Sequence, residues 1–81
     1  MSNRARLKQL ILDVFLLDDS EFSFELRRAD IDTWDSLGVV SLAVGIHQTF
    51  GYHPTPDEAT ALASVPDVIA LLESRGIPLG D

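Results

Sequence analysis

An all-α fold, a small four-helix bundle of three longer helices and one short helix, is predicted by three features of the 81-residue sequence. Apolar residues recur at three- and four-residue steps in three segments, which is the spacing of one helix face. Capping residues, glycines and prolines separate these segments. The composition, 46% hydrophobic and 23% charged, is typical of a folded chain. The length accommodates one domain, which we expect to span residues 1–81.

The first helix is predicted over about residues 3–17 and is followed by a long first loop, residues 18–35. The apolar face of this helix consists of Leu7, Leu10, Ile11, Val14 and Leu17. Apolar and polar residues alternate over residues 22–26, as in a short strand. A lone strand would have no partner, so we expect a loop that its apolar residues hold against the core.

The second helix is predicted over about residues 36–50. Asp35 precedes it as an N-cap, and Gly51 follows as a stop signal. Gly38 and Gly45 inside this helix each cost about 1 kcal/mol relative to alanine. We therefore expect either a close approach of another element or compensating packing at these two positions.

Two further helices are predicted after a turn at residues 52–56, where two prolines exclude a helix. A short third helix is expected near residues 57–62. The last helix is expected over residues 65–75, because Ser64 and the acid three residues later resemble a capping box. Gly76 ends it.

The net charge of −7 lies within residues 29–74, which contain seven acids and no lysine or arginine. Nucleic acids and anionic membranes would be repelled by this segment, so we expect neither as a partner. Proteins with basic patches would be attracted to it. Solubility alone is the alternative explanation for this charge.

Several classes of function are disfavoured by what the sequence lacks. Without cysteine it forms no disulfide and no thiolate metal site, and two histidines are too few for most metal cages. His47 lies about 16 Å along the helix from Ser36, so no nucleophile–base pair is expected there. We expect a monomeric, cytoplasmic protein without a bound metal, a signal peptide, a membrane span or enzymatic activity.

The second helix carries more apolar surface than one core-facing side needs. On a helical wheel, Leu37, Val40 and Val44 extend the apolar arc beyond the core face. This edge begins beside Ser36 and also contains His47. Either it contacts another molecule or the long first loop covers it, and periodicity leaves both explanations open.

Ser36 stands at the expected N-terminus of this helix, where a phosphate ester would be favoured by the helix dipole and the free N–H groups. A simple helix cap is the alternative for an Asp-Ser pair before an apolar run. Asp35-Ser36-Leu37 and the apolar run at residues 39–44 resemble the attachment motif of the acyl carrier protein family. The resemblance covers roughly residues 5–75 and includes, after these, Phe50-Gly51, Pro56-Asp57-Glu58-Ala59, Val65, Ile69 and Leu72.

This resemblance implies that Ser36 receives a 4′-phosphopantetheine from coenzyme A, added by a separate magnesium-dependent phosphopantetheinyl transferase with the help of Asp35. The thiol of that arm would carry acyl, polyketide or aminoacyl intermediates as thioesters, which agrees with a chain that has no cysteine. Other implied partners are an acyl- or aminoacyl-loading ligase or transferase and downstream synthase or tailoring enzymes.

The resemblance also assigns positions for partner contacts and for the cargo. The expected partner-binding residues are Leu37, Val40 and Val44, which match family positions, with His47 on the same edge and Asp57 and Glu58 as charges that attract partners. The expected lining of a cargo cavity is Val39, Leu42, Ala43, Ile46, Leu62 and Ile69. The second helix has no acid after Asp35, unlike that of many fatty-acid carriers, which favours a dedicated carrier for a polyketide, peptide or aminoacyl pathway. The alternatives are a housekeeping fatty-acid carrier and an unmodified helical adaptor of the same fold.

Overall fold

The computed structural model describes residues 2–80, and this part of the chain is all-helical. It contains α1 (Asn3–Phe15), α2 (Ser36–Phe50), α3 (Pro56–Ala61) and α4 (Val65–Ser74), and no β-strand. The predicted fold class, three longer helices and one short helix, is confirmed. No helix within residues 2–80 has the length and apolar character needed to cross a membrane.

Helix α1 ends two residues earlier than its periodicity predicts. Leu16 adopts the left-handed conformation, with φ of 57°, and this reverses the chain. The N–H group of Leu17 then bonds to the carbonyl of Leu12 at 3.0 Å, which completes a Schellman-type helix end. Leu17 packs against the core, whereas Leu16 points into solvent.

The third helix begins at Pro56 because Thr55 is its N-cap. The Thr55 hydroxyl accepts the N–H of Glu58 at 3.1 Å, and the Glu58 carboxylate accepts the N–H of Thr55 at 2.9 Å. This reciprocal pair is a capping box, with proline at the first helical position. Thr55 is therefore the residue that caps this helix, which begins one residue before the predicted start.

Two glycines allow the central contact of the fold, between α1 and α2. A Cβ atom on Gly45 would overlap the side chain of Leu10. A Cβ atom on Gly38 would overlap the carbonyl oxygen of Thr33 and meet the ring of Phe15. The predicted close approach at these glycines is therefore present, and it compensates for their low helix propensity.

The first loop packs against α1 and the start of α4. Its Phe22 and Phe24 rings lie beneath the cationic groups of Lys8 and Arg4, at 5.7 and 4.9 Å from the ring centroids. At the other end of the loop, the backbone N–H of Arg28 donates to the carbonyl of Ala63 at 2.7 Å. The loop is thus held by its apolar residues, and it forms two short 3-10 turns instead of a strand.

We predict that Gly38→Ala destabilises the protein by about 2 kcal/mol, although alanine is the better helix former. The new methyl group would displace the backbone of Thr33, which has little freedom, whereas in Gly45→Ala the flexible end of Leu10 can move. Urea unfolding followed by circular dichroism should give a lower free energy of unfolding for Gly38→Ala than for Gly45→Ala. Gly80→Ala, with open space around the new atom, is the neutral control. A Gly38→Ala protein more stable than wild type would contradict this packing.

Candidate functional site

Ser36 is the first residue of α2 and is exposed. The preceding Asp35 is extended, and its carboxylate accepts the N–H of Gly38 at 2.9 Å. Asp35 is therefore the N-cap that the sequence predicts. The Ser36 hydroxyl forms no hydrogen bond within residues 2–80, so the cap is made by Asp35 and the serine oxygen is left accessible.

The backbone that leads into Ser36 is held in place by a ring stack and two hydrogen bonds. Trp34 is buried and stacks on Phe15, with ring centroids 4.7 Å apart. The Thr33 hydroxyl donates to the carbonyl of Phe15 at 2.8 Å, and the Arg28 guanidinium donates to the carbonyl of Trp34 at 2.9 Å. These contacts tie the residues before Ser36 to the end of α1 and to the first loop.

The surplus apolar edge of α2 is uncovered. Leu37, Val40 and Val44, which we call the α2 edge, are 78%, 60% and 46% exposed. The first loop packs on α1 and α4 and does not reach this edge. Of the two explanations that periodicity leaves open, coverage by the loop is therefore wrong. The edge starts directly after Ser36.

A cleft of about 250 Å³ lies between α2 and α3. Two of the residues expected to line a cargo cavity, Val39 and Ala43, are on its wall. The other four do not line it: Leu42, Ile46, Leu62 and Ile69. The proline-containing turn and α3 supply the opposite wall instead, through Pro54, Pro56, Ala59 and Thr60.

A larger groove, of about 550 Å³, lies on the other side of the α2 edge, between α1 and α2. Val40 and Val44 line both this groove and the α2–α3 cleft, so the edge forms a ridge between them. Sequence periodicity does not predict the groove, because it depends on the angle at which α1 crosses α2.

The two histidines lie side by side at the end of α2 away from Ser36. The rings of His47 and His53 stack with centroids 5.2 Å apart, and both residues are exposed. His53 is also on the wall of the α2–α3 cleft. Within residues 2–80 no group of three histidine or acidic side chains is placed to hold a metal ion.

Glu58 is the centre of a network that joins α3 to the end of α4. Its carboxylate accepts hydrogen bonds from the Tyr52 hydroxyl and, at 2.6 Å, from the guanidinium of Arg75. The bond from Tyr52, then that from the N–H of Thr55, and then that from Arg75 lower the pKa of Glu58 to about 2. The bond to Glu58 raises the pKa of Tyr52 in turn. Asp57, the neighbouring acid expected to face partners, is exposed.

Comparison with known proteins supports the resemblance found in the sequence. The acyl carrier protein of Coprothermobacter proteolyticus is 28% identical over 69 residues, which cover 85% of this chain and 84% of that protein. No family model matches the chain, and no solved structure matches it significantly. The resemblance to acyl carrier proteins is therefore confirmed, and it supports a carrier role.

We predict that Glu58→Gln lowers the free energy of unfolding at neutral pH. The variant should also lose less stability than the wild-type protein when the pH is lowered. A carboxylate whose folded-state pKa is about 2, against an ordinary value of 4.5, stabilises the fold above about pH 4.5, and this contribution is lost as the pH falls towards 2. Urea unfolding at pH 7 and pH 3 measures the difference. The exposed neighbour provides the control, Asp57→Asn. Equal losses of stability between these two pH values in wild type and Glu58→Gln would show that the network contributes nothing.

Proposed function

We propose that the chain is a carrier protein that holds acyl, polyketide or aminoacyl intermediates as thioesters on a 4′-phosphopantetheine arm attached to Ser36. One observation carries the proposal. An accessible serine hydroxyl, left free by the Asp35 cap, lies at the N-terminus of a 15-residue helix directly beside an uncovered apolar edge. The similarity to an acyl carrier protein supports it.

The residues around Ser36 fit such a group. The Ser36 hydroxyl is the oxygen that would form the phosphodiester, and the N-terminus of α2 favours a negative charge there. Asp35 keeps its carboxylate within the same turn, where the resemblance assigns it a role in assisting the transferase. When bound, the group supplies a reactive thiol on a long flexible arm, which the chain does not have among its own residues.

The α2 edge is the proposed docking surface for partner enzymes. Burial of exposed Leu37, Val40 and Val44 side chains in an interface would be favourable, because each removes apolar area from water. Exposed Asp57 in the first turn of α3, together with the acids before α2, would attract basic patches on those partners. The partners are a phosphopantetheinyl transferase, a loading ligase or transferase, and downstream synthase or tailoring enzymes.

A specialised pathway is proposed over fatty-acid synthesis because of the character of the α2 surface. After Asp35 this helix carries no acid, so its partners would have to recognise an apolar ridge instead of a row of carboxylates. The α2–α3 cleft, of about 250 Å³, is the proposed place for the cargo, with Val39 and Ala43 on its wall. A housekeeping fatty-acid carrier and an unmodified adaptor remain the alternatives.

Incubation with coenzyme A and a broad-specificity phosphopantetheinyl transferase tests the carrier role. We predict that the intact mass of the wild-type protein increases by one phosphopantetheine and that Ser36→Ala does not react, because the acceptor oxygen is gone. Circular dichroism should show the same helical content in both, since Asp35 and not Ser36 caps α2. An unmodified wild-type protein beside a modified control carrier would contradict the proposal.

We predict that Val40→Asp leaves the fold intact but lowers kcat/KM for transfer to a partner by about tenfold or more, because a charge would be buried in the interface. Val40 is 60% exposed, so the folded protein accommodates the acid in water. Ala70→Asp adds the same charge at an exposed position of α4 and serves as the control. Loss of folding in Val40→Asp would show that the position belongs to the core.

A further inference from the structure

Leu16, at the end of α1, is the most exposed large apolar side chain within residues 2–80, at 82%. Its backbone is left-handed, with φ of 57° and ψ of 47°. The two other left-handed residues of this part of the chain are both glycine, Gly51 and Gly76, and they too follow the ends of helices. Leu16 is therefore unusual both in its backbone conformation and in its exposure.

The structure of the helix end explains the backbone of Leu16 but not its side chain. The turn needs a left-handed residue so that the N–H of Leu17 can reach the carbonyl of Leu12. Glycine or asparagine adopts this conformation at lower cost than leucine does. Because the leucine side chain lies in water, burial within residues 2–80 does not offset the cost.

The packing of α1 against α2 places Leu16 at the same end of the helix pair as the start of the α2 edge. The two helices run antiparallel, since Leu10 lies against Gly45 and Phe15 lies against Gly38. This register brings Leu16 to the level of Leu37, one helix away. Both residues therefore lie at the end of the molecule where Ser36 begins α2.

An enzyme that acts on Ser36 has to cover this end of the molecule. A standard protein interface buries roughly 800 Å² on each partner, an area equal to a disc of about 16 Å radius. Neighbouring helices are only about 8–10 Å apart. A footprint centred on Ser36 therefore extends over Leu37 and reaches the end of α1.

The charges around Leu16 indicate the kind of partner. Leu16 lines a shallow pocket whose wall contains no lysine or arginine. Three acids also line this pocket: Glu21, Asp30 and Asp32. A partner that offers an apolar socket surrounded by basic residues complements this arrangement. A second copy of the chain, with its own net charge of −7, would be repelled.

We propose that Leu16, with Leu37 and Val40, forms one apolar contact face for the enzyme that modifies Ser36, and that this enzyme presents an apolar socket with a basic rim. The inference rests on the proposed carrier function and extends the docking surface from α2 to α1. Leu16 contributes to binding of the partner and not to the chemistry at the Ser36 hydroxyl.

The test uses the full chain, coenzyme A and a broad-specificity phosphopantetheinyl transferase, with initial rates measured over a range of carrier concentrations. Leu16→Asn and Leu16→Gly remove the apolar side chain but suit the left-handed backbone. The midpoint of urea unfolding of both variants should therefore equal or exceed that of the wild-type protein. We expect their KM to rise about tenfold with kcat unchanged. Leu16→Met, which keeps an apolar side chain, should restore the wild-type KM.

Wild-type kinetics in both Leu16→Asn and Leu16→Gly would overturn this inference and leave the carrier function standing. A wild-type protein that is never modified would overturn the carrier function and the inference together. Sedimentation supplies a further test of the occupant. A wild-type dimer that Leu16→Asn converts to a monomer would show that a second copy occupies the face, which also overturns the proposal.

Discussion

The close contact between α1 and α2 determines how Ser36 and the surface beside it are presented. It depends on two positions without side chains, Gly38 and Gly45, where a methyl group would overlap Thr33 or Leu10. The contact at Gly38 also fixes the loop residues that precede α2, because the Thr33 hydroxyl bonds to the end of α1. The position of the Ser36 backbone is thus fixed by these contacts, although the Ser36 hydroxyl forms no hydrogen bond within residues 2–80.

The first loop packs elsewhere and leaves the surface beside Ser36 exposed. The loop places its phenylalanines under the cations of α1 and pairs its other end with the start of α4. The apolar ridge of Leu37, Val40 and Val44 therefore remains in water beside Ser36, where an arriving protein can bury it.

Local signals in the sequence are enough to predict the helices and the accessible serine. Asp35, Ser64 and the glycines after α2 and α4 act within one turn of the backbone, so their effects can be read without knowing the tertiary structure. The end of α1 is not predicted correctly, because Leu16 adopts a conformation that its residue type disfavours.

Features that depend on distant residues are beyond a sequence-based prediction. The ionic network of Glu58 involves Tyr52 and Arg75, which come together only when α3 and α4 are placed. Only two of the six residues predicted to line a cargo cavity line the α2–α3 cleft, because a helical wheel separates inward from outward residues but not the side facing α3 from the side facing the core. Leu42 and Ile46 are inward-facing and fill the core, whereas Val39 and Ala43 reach the cleft.

The most direct test of the carrier function is the chemical state of Ser36 in the protein isolated from cells that naturally produce it. Because residues 29–74 contain no lysine or arginine, trypsin releases Ser36 within one long peptide, residues 29–75. Tandem mass spectrometry of this peptide should find one phosphopantetheine, and fragmentation should place it on Ser36. A peptide that is unmodified in every preparation, while carriers from the same cells are loaded, would contradict the carrier function.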